Sequence, residues 1–202
     1  MSLEFYIVDV ETTGLSSKIH EICEISIIRC SDKIQLTEFI KCENPETASI
    51  DALRITNKTM ADLSIGNSKE YVADKIDRFL SSDNKTPAHR CFVAHNDSFD
   101  RRMIHALYEK LDRKCPVDLW VCSMALTKEY AKKNGIIKPK VNLDAACNLL
   151  EIKKLSGAHA SKVDARNTFF LWKKLIEDKQ IDYLPFIKTS SFEPSTSLYN
   201  GD

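Results

Sequence analysis

Three apolar stretches open the chain with no room for a helix between any two of them, and this limits the available folds more than any other feature. Phe5–Val10 is followed by the turn residues Ser16, Ser17 and Lys18, then by His20–Cys30, and after a turn at Ser31 and Asp32 by Lys33–Cys42. A parallel return needs a crossover of a dozen residues or more, so strands joined this tightly pair antiparallel. Ile22, Ile25, Ile27 and Ile28 give the second strand an imperfect alternation, and Ile34, Leu36 and Phe39 can alternate along the third.

Beyond residue 43 the pattern changes. A loop at Glu43–Ser49 and one helical turn at Asp51–Leu53 lead to a helix at about Lys69–Leu80, with Val72, Ile76, Phe79 and Leu80 on one face. A compact strand at Cys91–His95 then feeds a helix that starts at Asn96 or Asp97, both fair N-caps, and runs to about Leu111. Pro116–Val121 reads as a last strand. Helices follow at Cys122–Ala131, Leu143–Leu150 and Ser161–Glu177, the last with Phe170, Leu171, Leu175 and Ile176 as core candidates. The expected class is α/β: a mixed five-stranded sheet, three antiparallel strands then parallel ones, with helices on both faces.

At 202 residues and 43% hydrophobic composition the chain can bury one real core. Residues 1–180 are expected to form that domain and 181–202 a polar, weakly ordered tail. Lys plus Arg and Asp plus Glu are each 29, so no bulk positive field holds nucleic acid. A polyanionic substrate must be gripped locally. The seven Cys are scattered and odd in number, which reads as reduced core thiols of a cytoplasmic protein. Nothing in the composition suggests a membrane segment or an export signal.

Phe5–Leu15, FYIVDVETTGL, ends in two acids one residue apart. Alternation puts Asp9 and Glu11 on one face of a strand end, roughly 6 to 7 Å apart along the backbone. Two such carboxylates either mark an exposed strand end before the turn at Thr12, Thr13 and Gly14, or share a hard cation such as Mg²⁺ or Mn²⁺. Asp100, in AHNDSFDRRM, falls in the first turn of a helix leaving a short buried strand. Ligands collect at such turns, and the helix dipole alone also favours an acid there. In GAHASKVDARNTF, His159 and Asp164 are five residues apart and would diverge on a continuous helix. They converge only if His159 precedes the helix. Ser161 and Asp164 look like the capping pair that starts it.

Taken together and in this order, DVETTGL, AHNDSFD and HASKVDA resemble the DEDDh superfamily of 3′–5′ exonucleases. That group includes the proofreading subunit of the bacterial replicative DNA polymerase, RNase T and oligoribonuclease, and its fold is ribonuclease H-like. The likeness runs from about Phe5 to about Leu175. It implies catalytic residues Asp9, Glu11, Asp100, His159 and Asp164, of which the four acids hold two divalent metal ions, Mg²⁺ or Mn²⁺. His159 would be the general base. Thr12, Thr13, Gly14, Leu15, Asn96 and Phe99 would touch the terminal nucleotide. Many relatives carry a glycine where this chain reads ITNKT; Asn57 can take the same left-handed conformation.

The implied function is 3′–5′ exonucleolytic cleavage of single-stranded DNA with release of nucleoside 5′-monophosphates. A 3′–5′ exoribonuclease and a non-catalytic nucleic-acid-binding module are the alternatives. Arg101, Arg102, Lys132, Lys133, Lys138 and Lys140 could meet the phosphate backbone. A DNA polymerase or sliding clamp is a conceivable partner, the latter through QIDYLPF at Gln180, where Leu184 and Phe186 otherwise pack against a helix end. A homodimer is the remaining assembly expectation.

Overall fold

The computed structural model describes residues 2–157 and 160–189. Its first strand, β1 (Glu4–Thr12), pairs antiparallel with β2 (Ile22–Arg29), which pairs antiparallel with β3 (Gln35–Phe39). On its other side β1 runs parallel to β4 (Arg90–Ala94), which runs parallel to β5 (Leu119–Cys122). The expected meander and parallel half are both present. A sixth strand corrects the expected count of five: β6 (Lys188–Thr189) pairs antiparallel with β5, giving the order β3-β2-β1-β4-β5-β6. Two exposed residues show no alternation, so nothing in the sequence marks them as a strand.

Seven helices cover the sheet among the described residues: α1 (Ile50–Thr56), α2 (Met60–Leu63), α3 (Lys69–Ser81), α4 (Asp97–Glu109), α5 (Ser123–Lys133), α6 (Leu143–Leu149) and α7 (Ser161–Lys173). α1 is longer than the single turn expected and ends on Asn57 at φ 53°, the left-handed conformation that ITNKT permits. α2 arises from a capping box between Thr59 and Asp62 that the hydrophobic pattern does not reveal. α7 continues into a wide π-helical turn, Lys174–Asp178.

Tyr6, Val8 and Val10 face a core built with α3 and α4, where Phe92, Trp120, Ile76 and Met103 are buried. Phe5 and Ile7 face the opposite core, under α5, α6 and α7, with Val93, Val121, Leu171 and Leu175. All eight residues of β2 are buried, which explains its imperfect alternation: both faces are covered. β3 is the edge, so Ile34 and Phe39 are half exposed and only Leu36 joins the core. Phe170, expected in the core, is 40% exposed on the outer side of α7.

Ile181 is buried and Tyr183 packs edge-on against Phe5 and beside Trp172. Phe186 joins that core, but Leu184 stands 62% exposed, contrary to the expected packing. At the end of the sheet where β4 begins, Asp83 accepts hydrogen bonds from Tyr6 Oη (2.6 Å) and Arg90 Nη2 (2.7 Å). Both members of the Asp83–Arg90 pair are buried. All seven thiols are free, and no helix among the described residues is long and apolar enough to cross a membrane.

Candidate active site

On the β4 side, β1 is paired only from Glu4 to Ile7. Its end therefore projects past β4 into the opening where that strand turns into α4, the place where α/β sheets gather ligands. Because the odd-numbered side chains of β1 face α7, Asp9 and Glu11 continue the row of Phe5 and Ile7 and meet Asp164 in the first turn of α7. One carboxylate oxygen from each of the three lies within 4.8 Å of the others. The acid pair and the distant Asp164 are thus in one place.

Asp100 approaches from the other side. It lies in the first turn of α4, is 5% exposed, and its Oδ1 accepts the backbone N–H of Val10 at 3.2 Å. That amide has no strand partner because β4 has already ended. Asp97, one turn earlier in the same motif, is also buried but is held by Lys188 Nζ on β6 (3.0 and 3.1 Å), so its charge is already answered. His159 lies outside the described residues.

Burial and mutual repulsion disfavour the charged forms of these acids, a cost that a bound cation would relieve. Burial, followed by the charges of Asp100, Glu11 and Asp164, pushes Asp9 well above the usual carboxylate range. Burial and then Asp164 and Glu24 push Glu11 up to about 8, with Lys58 opposing them. Asp100 is also raised by burial, against the hydrogen bond from Val10. Asp9, Glu11 and Asp164, whose oxygens converge within 4.8 Å, form a donor set that fits a hard divalent cation.

The turn after β1 is held by bonds within it and to neighbouring segments. Thr12 Oγ1 donates to the Gly14 carbonyl (2.8 Å), Thr13 Oγ1 accepts from Glu21 N (2.9 Å), and Ser49 N donates to the Thr13 carbonyl (2.8 Å). A Cβ at Gly14 would lie 2.5 Å from the His20 ring, so a larger residue there would have to displace that ring. Leu15 is left 77% exposed at the rim. Arg102 Nη2 donates to the Leu15 carbonyl (3.3 Å) and its guanidinium lies 5.9 Å from the Phe99 ring centre, tying this turn to α4. Asn96 sits at the N-cap position of α4 without capping it; its Oδ1 accepts from Ser98 Oγ instead. The connection from α5 to α6, which carries Lys138 and Lys140, is anchored where His95 Nε2 donates to the Val141 carbonyl at 2.7 Å.

Two residues escaped the sequence reading. Glu24 of β2 lies directly opposite Glu11 in the strand register and is 3% exposed. Its Oε2 accepts from Lys58 Nζ (2.8 Å) and its Oε1 from Ser161 Oγ (2.8 Å). Ser161 is therefore not the expected cap: the N-cap position of α7 is Ala160, whose side chain cannot cap. Asn167, 3% exposed, accepts from Leu155 N (2.9 Å) and so holds the chain that leads towards residue 158. The one available signal for Glu24 was an acid inside an otherwise apolar strand.

The exonuclease family profile RNase_T matches residues 6–171. A DNA polymerase III PolC-type of Staphylococcus haemolyticus is 24% identical over 182 residues, covering 86% of this chain and 11% of the relative. The PolC-type polymerase of Latilactobacillus sakei is 28% identical over 185 residues, covering 90% of this chain and 12% of its own. The chain thus spans about a tenth of the length of the curated relatives it matches. Among solved structures, the nuclease domain of 3′hExo, a DEDDh family member bound to rAMP, superposes with a TM-score of 0.70 at 13% identity, covering 87% of this chain and 92% of that one. A product-bound exonuclease I gives 0.72 at 16% identity, covering 89% and 44%. These likenesses establish a shared fold.

Proposed function

This chain belongs to the RNase_T exonuclease family, within the DEDDh 3′–5′ exonuclease superfamily, and from that premise we propose that it removes nucleotides from the 3′ end of single-stranded DNA, releasing nucleoside 5′-monophosphates. The convergence of Asp9, Glu11 and Asp164 oxygens within 4.8 Å, with Asp100 against the same strand end, carries the reading.

Asp9, Glu11, Asp100 and Asp164 would hold two divalent ions, Mg²⁺ or Mn²⁺. When bound, such ions activate water for attack on phosphorus and stabilise charge on the leaving 3′ oxygen. With four carboxylates the charges of two divalent cations sum to zero, so the loaded site accepts a phosphate that the bare acids would repel. His159 takes the proton from the attacking water as general base. Leu15 and Phe99 pack against the terminal base, and the free faces of the Thr12–Gly14 turn and of Asn96 meet the terminal sugar. Apolar contacts of this kind accept any base. Arg101, Arg102 and the exposed Lys132, Lys133, Lys138 and Lys140 steer the phosphate chain.

The PolC-type relatives support DNA as substrate and a polymerase as context. The second reading, a 3′–5′ exoribonuclease, draws on neighbours that bind rAMP or a histone mRNA stem-loop. Digestion of a DNA oligomer and its RNA twin side by side, in Mg²⁺, in Mn²⁺ and in EDTA, separates the two. Faster loss of DNA is expected; RNA digested tenfold faster would reverse the assignment.

A further inference from the structure

Glu24 and Ser161 have no place in the reaction as described, yet they join the two halves of the acidic cluster. Glu11 reaches the site on β1 and Asp164 on α7. The start of α7 lacks a capping side chain of its own, since Ala160 occupies that position. Ser161, the first residue of the helix, is fully buried and its hydroxyl donates to Glu24 Oε1 at 2.8 Å. Glu24 in turn is the cross-strand neighbour of Glu11. One side chain therefore sets the helix that carries Asp164 against the strand that carries Glu11.

Placing a fifth carboxylate beside the cluster would be costly if it were free, because like charges directly opposite in a sheet repel. Lys58, just past the left-handed turn at Asn57, removes that cost. Its Nζ is 2.8 Å from Glu24 Oε2 and 5.1 Å from the Phe39 ring centre, and the pair is largely shielded from solvent. Both oxygens of Glu24 are thus engaged, one by a cation and one by a hydroxyl. Glu24 lies outside the converging trio of Asp9, Glu11 and Asp164.

The geometry points to Glu24, held by Lys58, as a positioning residue that fixes Asp164 relative to Asp9 and Glu11 through Ser161. The inference rests on the exonuclease reading above. It explains why an acid, and not an apolar residue, stands in the middle of a fully buried strand: one oxygen accepts from the hydroxyl at the helix start and the other from Lys58. Partners that orient metal ligands in this way commonly change metal affinity or activity by 10- to 100-fold when removed.

The test uses the full chain with Ser161→Ala and Glu24→Asp. The first removes the donor; the second keeps the charge and withdraws the acceptor by one methylene. Mn²⁺ affinity is measured by calorimetry, kcat and KM with a DNA oligomer, and melting in EDTA shows that each variant is folded. Both variants are expected to bind Mn²⁺ about tenfold more weakly and to lose about tenfold in kcat, with KM within about twofold of wild type. A purely structural bond would lower the melting temperature and leave the Mn²⁺ affinity of the folded protein unchanged. Mn²⁺ affinity and kcat within twofold of wild type in Ser161→Ala, or in Glu24→Asp should the first variant not fold, overturn the inference. Wild type that neither binds Mn²⁺ nor digests the oligomer refutes the exonuclease reading itself and the inference with it.

Discussion

Replacing Glu11 by Gln should make the metal-free protein more stable at pH 8, although it takes a ligand from the site. Glu11 is 8% exposed, and burial together with Asp164 and Glu24 moves its carboxyl from 4.5 to about 8. Each tenfold change in proton affinity corresponds to about 1.4 kcal/mol, so ionised Glu11 costs the fold roughly 5 kcal/mol at pH 8 and above. Below pH 4.5 the group is protonated in both folded and unfolded chains and the cost is absent. Between 4.5 and 8 the unfolded chain releases the proton first, so stability falls as pH rises through that window.

Gln keeps the shape but buries an amide, and incomplete hydrogen bonding returns about 1–3 kcal/mol of the gain. A net gain of about 2–4 kcal/mol corresponds to a melting temperature higher by roughly 4–16 °C for a chain of this size. The assay is thermal melting of wild type and Glu11→Gln in EDTA at pH 5, 6.5 and 8. The difference should widen steadily with pH, and saturating Mn²⁺ should reverse the order by stabilising wild type alone. A difference that is flat with pH, or wild type more stable at pH 8 in EDTA, would refute the reasoning.

Three further outcomes are expected. His159→Ala should retain Mn²⁺ binding and lose about 10²- to 10⁴-fold in turnover, as for a lost general base; near-normal turnover contradicts its role. Asp83→Ala leaves buried Arg90 without its counter-ion and should cost about 3–5 kcal/mol in denaturant unfolding at pH 7. Burial favours neutral Asp83, but hydrogen bonds from Arg90 and Tyr6 prevail and bring its carboxyl down to about 2. The stabilisation is complete above the ordinary value of 3.8 and is lost as pH falls through 2, so the deficit of the variant should shrink only in strong acid. Leu15→Ala should leave the melting temperature unchanged, since the side chain is 77% exposed. It should raise KM for short oligomers about tenfold, from roughly 1.5 kcal/mol of apolar contact.

What the sequence made legible follows from which interactions are local. The meander was readable because short connections leave no other topology, and Asp9 with Glu11 because strand alternation is a two-residue rule. Asp100 and Asp164 were placed by motif order, and the fold brings them to the same strand end. What escaped is set by contacts distant in sequence. Glu24 is opposite Glu11 only through the register of β2, and it is tolerated only because Lys58, 34 residues away, arrives beside it. Ser161 looked like a cap because it stands three residues before an acid; its hydroxyl is instead taken by Glu24, 137 residues distant. Phe170 is apolar and helical yet faces outward, and Leu184 projects from a 3-10 turn while its neighbours Tyr183 and Phe186 pack inward. β6 has no hydrophobic pattern and exists because Lys188 reaches buried Asp97 as its backbone joins β5.

The most direct test of the central claim follows a single-stranded DNA oligomer labelled at its 5′ end and otherwise identical to one carrying a blocked 3′ terminus. With Mg²⁺ or Mn²⁺, the free-ended oligomer should shorten stepwise from its 3′ end, and EDTA, the 3′ block or Asp9→Ala should each stop it. Shortening that ignores the 3′ block, or that persists in EDTA or in folded Asp9→Ala, would contradict a carboxylate-held, metal-dependent 3′–5′ exonuclease.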